Sequence, residues 1–558
     1  MSDDHHIPTA AADLNPEPGE RLARPFQRFA SLSSSGGIIL LLMTAIAMIW
    51  ANKDYDSYKE IFNDTEIRIT VADNPHDKHG GGDHGDGHHD DDAHDSAAIA
   101  GSDHADDHDD HDDVVNELLD ETQELAADLT NTTADHEDPH HDDHHAAGHG
   151  DGWHPLPKEP HWYQGLSMVH WINDLLMAVF FLVVGLEIKR EILVGELASP
   201  KRAALPIFGA LGGMVGPALI FVAFNFGKET ISGWGIPMAT DIAFAVGILA
   251  MLGSRIPNSL KVFLTSLAIV DDLGALVVIA VFYTENLEMA YLGYAGSIIA
   301  VLMFMNVLRV RWITLYLVLG LPLWYCVYMS GVHATIAGVL LAVTIPAHAR
   351  VNPVNFVFST RKALDVFANA HDDPDIAVTQ SSERRAAVNA IMHNSRLVLP
   401  PLHRMEHVLH PWAAFVIIPI FALANAGIPI HGGISENLSD PAAIGIILGL
   451  FVGKPVGIAL FCMFACKIGI ASLPRGVSWR HIFGAGMLGG IGFTMAIFIA
   501  NLAYADSITH LEHAKLAILV ASALSAIGGA GILLTCKSAP EPEPETMGPL
   551  VDGDEDDE

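Results

Sequence analysis

The chain has 558 residues, half of them apolar, and carries 66 acidic against 30 basic residues. An acidic chain without a basic cluster has nothing to neutralise phosphates, which excludes a nucleic-acid binder. Its four cysteines (Cys326, Cys462, Cys466 and Cys536) lie in or beside apolar runs, so they offer neither a disulfide framework nor a zinc set.

The acid is concentrated. Residues 71–160 hold 27 Asp or Glu and two bases, Lys78 and Lys158; the first 20 residues add five acids and the tail from Ala539 adds nine. What remains has 25 acidic and 28 basic residues and reads as one apolar run after another. We expect an all-α integral membrane protein of about twelve transmembrane helices, with acidic low-complexity additions.

In chain order, residues 1–35 form an acidic segment in which Arg21, Arg24 and Arg28 precede the first apolar run. No cleavage site follows, so the run at 36–51 is expected to stay as the first span. Residues 52–160 form an external loop. Within it, residues 65–71 alternate as a strand does, with Ile67, Ile69 and Val71 on one face, and no partner strand is evident. The insert beyond, 71–160, holds 16 histidines in runs such as His88-His89-Asp90-Asp91-Asp92, with an amphipathic hint only at 114–129. Residues 161–345 carry spans two to eight, at 171–185, 203–227, 235–252, 262–282, 291–308, 312–328 and 334–345. A connection at 346–411 follows, in which 383–397 suits a surface helix. Spans nine to twelve, at 412–426, 442–465, 481–500 and 516–534, make up 412–534, and 535–558 is an acidic tail.

Basic residues orient these spans. Loops after even-numbered spans carry eleven: Lys189, Arg190, Lys201, Arg202, Arg255, Lys261, Arg309, Arg311, Lys467, Arg475 and Arg480. Loops after odd-numbered spans, the long first one aside, carry Lys228 and Lys515. By the positive-inside rule both termini, the 346–411 connection and the acidic tail face the cytoplasm.

An ionisable side chain at bilayer depth costs a few kcal/mol or more, so each one asks for a reason. Asp174 opens span two, Thr240 and Asp241 sit inside span four, Asp271 and Asp272 inside span five, and Lys454 inside span ten before Pro455. Two adjacent carboxylates cannot both be ionised and unpaired there. They diverge by about 100° around a helix, so one is expected to meet Lys454 while the other faces a cavity. Pro237 interrupts span four, and Gly484, Gly486, Gly489, Gly490 and Gly492 loosen span eleven. Interrupted spans in matching halves point to inverted repeats with a midplane site. Asp241 and Lys454 would then offset the helix-end charges at the breaks. Carboxylate and hydroxyl oxygens suit a small hard cation, for which protons compete.

The runs Ile236-Pro-Met-Ala-Thr-Asp-Ile-Ala-Phe-Ala, Leu267-Ala-Ile-Val-Asp-Asp-Leu-Gly-Ala, Ser330-Gly-Val-His-Ala-Thr, Glu406-His-Val-Leu-His-Pro-Trp, Phe421-Ala-Leu-Ala-Asn-Ala-Gly, Gly453-Lys-Pro-Val-Gly and Gly490-Ile-Gly-Phe-Thr-Met resemble the NhaA-type sodium/proton antiporters. The likeness covers 36–51 and 171–534. Inverted repeats are an established feature of that family, so the two breaks above add nothing independent of the resemblance. The resemblance implies an electrogenic, pH-regulated exchange of sodium or lithium for protons in a bacterial inner membrane, with no cofactor and no enzymatic reaction. It implies that Asp271 and Asp272 hold sodium, Asp272 most directly, while Asp271 alternates between Lys454 and a proton. Thr240 and Asp241 would tune the field at the broken-helix crossing, and Asp174 would hold a structural position nearby. Glu187, Arg190 and Glu191 would form a pH-responsive cluster faced by Glu406, His407 and His410, with His333 and Gly492 as further positions that set the pH response.

The insert departs from the family pattern, which places a short dimer-forming hairpin in this loop; homodimerisation is therefore left open. Imidazole with carboxylate suits zinc, copper or nickel, histidines titrate near neutral pH, and a solvated tether remains a third reading. Rival functions are a transition-metal cation/proton exporter using the histidine-rich loop, an intramembrane aspartyl protease and a passive cation channel. A metal exporter needs intramembrane His or Cys ligands near Asp272, a protease needs two aspartates facing each other, and a channel does not need Lys454.

Overall fold

The computed structural model describes residues 35–67, 166–284, 287–349, 351–370, 381–429 and 437–536. The His/Asp-rich insert with its 114–129 stretch, and the acidic ends up to residue 34 and from residue 537, lie outside the described residues. The described part is helical except for one short pair of strands.

Eight helices are long and apolar enough to cross a membrane, and ten when each of two bent pairs counts as one span. The first is Ser35–Lys53, followed by the short Tyr55–Lys59 and Glu60–Asp64. Span two runs over Met168–Val194, span three over Pro200–Asn225, span five over Asn258–Phe282 and span six over Met289–Val307. Span nine covers Pro401–Asn425, span ten Pro441–Lys467 and span twelve Ile508–Leu534. The seventh run forms the 17-residue helix Ile313–Met329, near the lower limit for spanning. The eighth forms only the nine-residue helix Ile336–Thr344, about 14 Å long. All twelve apolar runs thus fall on these elements.

The bent pairs are the interrupted spans. Span four is Glu229–Met238, a 3-10 helix containing Pro237, then Ile242–Met251 at 41° to it. Span eleven is Trp479–Gly489 then Phe493–Ala503, at 48°. Proline lacks the amide and fixes φ in the first, and the glycines around residues 489–492 leave the second without side chains to bridge the gap. Exposed backbone at bilayer depth must find partners inside the protein, and the two breaks supply them to each other: Asp241 N–H donates to Ile491 C=O at 2.7 Å.

Two differences from the sequence reading are physical. The helix carrying the ninth run starts at Pro401 rather than near Trp412, because Arg404, Glu406, His407 and His410 depress hydropathy without interrupting the helix. The strand expected at 65–71, whose residues 68–71 lie outside the described residues, also has a partner. Glu66–Ile67 pairs antiparallel with Leu166–Ser167, Glu66 opposite Ser167 and Ile67 opposite Leu166. In the connection, Pro353–Ala368 and Ser382–Val398 form a helix pair, the second matching the expected surface helix.

Without a hydrophobic force between helices in lipid, small residues bring backbones close. Span three meets span ten in this way. A Cβ on Gly457 would lie 2.1 Å from the Gly212 carbonyl oxygen, and one on Gly212 2.2 Å from that of Gly457. Contacts this short leave no space for a methyl. We expect Gly457→Ala to destabilise the folded protein by about 1–3 kcal/mol through overpacking, read as a lowered thermal midpoint in detergent. Gly531→Ala, where a Cβ meets nothing within 4 Å, serves as the unchanged control; equal midpoints for both variants would contradict this packing.

Candidate functional site

The site is built around buried helix ends. The break in span four exposes the C-terminal carbonyls of Glu229–Met238 and the N-terminal amides of Ile242–Met251. The break in span eleven does the same for Trp479–Gly489 and Phe493–Ala503. Each helix end carries roughly half a unit charge, positive at the N-terminus and negative at the C-terminus.

Asp241 answers the two positive ends. One carboxylate oxygen accepts the Phe244 amide at 3.0 Å, capping its own half-helix. The other accepts the Thr494 hydroxyl at 2.5 Å and the Thr494 amide at 3.3 Å, capping the half-helix from span eleven. Lys454 and Thr240 answer the negative ends. Lys454 Nζ donates to the Met238 carbonyl, and Thr240 Oγ1 lies 2.9 Å from the Gly489 carbonyl.

Span five brings two further carboxylates to this crossing, and their neighbours treat them differently. Asp271 and Asp272 are each 1% exposed, and Lys454 is fully buried. Asp271 Oδ2 pairs with Lys454 Nζ at 2.6 Å and lies 2.6 Å from Thr240 Oγ1. The single Thr240 proton therefore has two acceptors, Asp271 and Gly489. The second oxygen of Asp271 and Oδ1 of Asp272 are buried without a hydrogen-bond partner among the described residues. The Asp272 side chain forms no hydrogen bond or ion pair among them. One carboxylate is clamped and its neighbour is free, as the 100° divergence of adjacent helical residues requires. Free carboxylate oxygens beside a clamped acid suit a small hard cation, for which oxygen is the preferred ligand. Among the described residues, no His or Cys lies with these carboxylates in a group of three His, Cys, Asp or Glu.

A second cluster lies at the far end of span two. Arg190 meets Glu191 at 3.1 Å, Glu406 of span nine at 3.3 Å and Glu187 at 3.9 Å. Three carboxylates thus share one guanidinium, and Glu191 also accepts the Glu196 amide at 3.1 Å. His407 and His410, on the helix of Glu406, are exposed and stay outside the cluster. His333 is elsewhere again: its ring packs edge-on against Phe498 at 5.5 Å, with Nδ1 3.5 Å from Thr335 Oγ1. Gly492 sits in the break itself, where a Cβ would lie 2.9 Å from that of Ala496 and 3.3 Å from the Ala239 carbonyl. Asp174 lies in the π-helical turn Trp171–Leu176, 7% exposed.

Thr494 is the site residue that sequence reasoning missed. A threonine in an apolar helix draws no notice, because its hydroxyl ordinarily bonds its own backbone. The available signal was positional: Thr240 lies within the first break and Thr494 just past the second.

A family model described as Na+/H+ antiporter 1 matches residues 153–533. A Na(+)/H(+) antiporter NhaA of Oleidesulfovibrio alaskensis is 41% identical over 540 residues, which cover 97% of this chain and 99% of that protein. Its alignment therefore runs across the acidic insert. A Na(+)/H(+) antiporter NhaA of Wolinella succinogenes is 50% identical over 374 residues, 67% of this chain and 82% of that one. Na(+)/H(+) antiporter NhaA 2 of Helicobacter hepaticus is 46% identical over 374 residues, 67% and 84% respectively.

The buried pair makes a prediction that needs no ligand. Removing one partner of a buried ion pair strands the other charge and typically costs about 3–5 kcal/mol, whereas replacing both by apolar groups is often neutral. Lys454→Met is expected to show that loss in detergent unfolding, and the Lys454→Met/Asp271→Leu double variant to recover most of it. Additive losses would mean that the two side chains are independent.

Proposed function

The chain belongs to the Na+/H+ antiporter 1 family, and on that premise we propose that it exchanges sodium for protons at Asp271 and Asp272. It is a multi-pass helical membrane protein and a transporter. The single observation that carries the site assignment is the contrast between a clamped Asp271 and a free Asp272 beside two crossing helix breaks.

In this reading Asp272 offers oxygens to sodium, and lithium is the second substrate by size and hardness. Asp271 holds Lys454 in one state and takes a proton in another, which frees the ammonium and changes the field at the neighbouring carboxylate. Sodium and protons then compete for one buried set of oxygens. Alternating access turns that competition into exchange, because the site cannot cross empty of both without stranding charge in a medium that penalises it. More protons than sodium ions move per cycle, so the exchange is electrogenic. Thr240 and Asp241 keep the crossing neutral while the half-helices move, and Gly492 leaves room for the break. Glu187, Arg190, Glu191 and Glu406 are the pH-responsive cluster, with His333, His407 and His410 as accessory positions.

The orientation proposed is the one the basic residues favour, with both termini in the cytoplasm and sodium leaving the cell across an inner membrane. The contacts support the pairing of ends that this requires. Arg190 at the end of span two meets Glu406 at the start of span nine. At the other side Tyr58 donates to the Leu423 carbonyl at 2.8 Å and Asn52 to that of Ile428 at 2.9 Å. Homodimerisation, and divalent-metal binding by the histidine-rich external loop, stand as proposals that the described residues do not touch. The metal-exporter alternative draws no support from the core. A protease dyad is disfavoured because Lys454 occupies Asp271 and two helix ends occupy Asp241.

Inverted membrane vesicles with an acid interior and a fluorescent pH probe test the reading. Addition of sodium is expected to alkalinise the interior in the wild type and to do nothing in Asp272→Asn. A response to zinc, with none to sodium or lithium, would replace sodium exchange by metal export.

A further inference from the structure

Lys189 lies between Glu187 and Glu191 in sequence, one residue from Arg190, yet it joins neither carboxylate. Its ammonium turns instead to the end of span eight, donating to the carbonyls of Val343 at 2.6 Å, Ala342 at 3.3 Å and Ile345. Among the described residues no carboxylate comes within ion-pair distance of it. Glu187, Glu191 and Glu406 all turn to Arg190, Glu196 turns to Arg202, and span eight presents only backbone. Three ammonium protons meet three carbonyls at the C-terminal end of Ile336–Thr344, one of which, that of Ala342, also accepts the Ile345 amide at 3.2 Å, and a cation is favoured at that end.

Nearby packing makes this a rigid joint. A Cβ on Gly338 would lie 2.1 Å from the Ala178 carbonyl, and one on Gly185 2.8 Å from the Ala342 Cβ. Spans two and eight are therefore in backbone contact as well as bonded through Lys189. At the opposite end of span eight, His333 packs on Phe498. Phe498 is one helical turn from Thr494, which bonds Asp241 at the crossing.

We propose that Lys189 is a positioning residue, fastening span eight to the helix of the Arg190 cluster so that a charge change in the cluster moves the His333 end against the broken half-helix Phe493–Ala503. Span eight, too short to cross the membrane alone, serves as the rod between the titrating cluster and the ion site. The proposal rests on the antiporter reading and deepens its regulation.

The test compares the wild type with Lys189→Met, Lys189→Gln, Lys189→Arg, His333→Ala and the Lys189→Met/His333→Ala double variant, following sodium-dependent proton movement against pH in inverted vesicles. Lys189→Met is expected to displace the pH of half-maximal rate by about one unit, in line with ordinary coupling energies, while the maximal rate changes less than the midpoint. Lys189→Arg, which still donates several hydrogen bonds, is expected to retain the wild-type profile. The double variant is expected to shift by less than the sum of its parts, as residues acting through one rod must. Superimposable profiles for Lys189→Met and the wild type, or shifts that add, would overturn the proposal. If Lys189→Met fails to insert, Lys189→Gln takes its place in the comparison. Failure of both, with Lys189→Arg normal, means a folding role only and also overturns it. A wild type without sodium-dependent proton movement would instead sink the antiporter reading itself.

Discussion

At the centre of the molecule a lysine and an aspartate have given up water, and the surrounding structure makes their burial tolerable. Lys454 has Asp271 on one side and the open end of a helix on the other; Asp271 has Lys454 and Thr240. A lone charge there would cost far more than a surface charge, because the medium cannot reorganise around it. That constraint explains why two helices break where they do. An unbroken helix offers no free amides or carbonyls to a buried side chain, whereas each break provides a positive end and a negative end. Asp241 takes both positive ends, and Lys454 and Thr240 take the negative ones. Neutrality is thus reached by helix ends and side chains together, and neither set would be stable without the other.

The same constraint gives Asp272 its distinct character. Its neighbour has absorbed the bonds of the available cation and hydroxyl, and the Asp272 side chain bonds neither. A carboxylate left in that position is neutral, bound to a cation, or costly. Whichever occupant relieves it also changes the field at Asp271, only one residue away. Coupling between a proton and a metal ion therefore needs no long pathway at the site. The regulation proposed for the Arg190 cluster would have to act over distance, because the cluster sits at the end of span two and shares no side chain with the crossing.

Most of the site was legible because ionisable residues inside apolar runs are rare. Asp241, Asp271, Asp272 and Lys454 stand out by expense alone, and Thr240 by standing beside Asp241. The meeting of Glu406 with Arg190 followed from a resemblance, since residues over 200 positions apart share no local pattern. Thr494 and Lys189 escaped for opposite reasons. A threonine is cheap in a helix and announces nothing, while a lysine among glutamates announces the wrong partner. Only three-dimensional contact shows that Lys189 ignores the acids beside it. His407 and His410, which the resemblance set beside Glu406, lie exposed on the same helix and make no ion pair with Arg190 among the described residues. The strand partner at Leu166–Ser167 was hidden by the long low-complexity insert between the two halves of the pair.

Hydropathy misjudged the spans in a way that carries meaning. It set the start of the ninth span about one element too late, since the charged residues at its beginning look like a loop. It also credited the eighth run with a full crossing, although only nine residues of it are helical. Both misreadings fall where spans two, eight and nine meet. A helix that begins with Arg404, Glu406 and His407 has surrendered apolar length to carry charge to one position. A helix of nine residues has surrendered it to end where a lysine can reach its carbonyls. Neither economy helps a protein merely to span a bilayer. Both place polar contacts at one end of span two, where Arg190 meets Glu406 and Lys189 meets the end of span eight, and helix ends are where a membrane protein can carry charged groups without burying them in lipid.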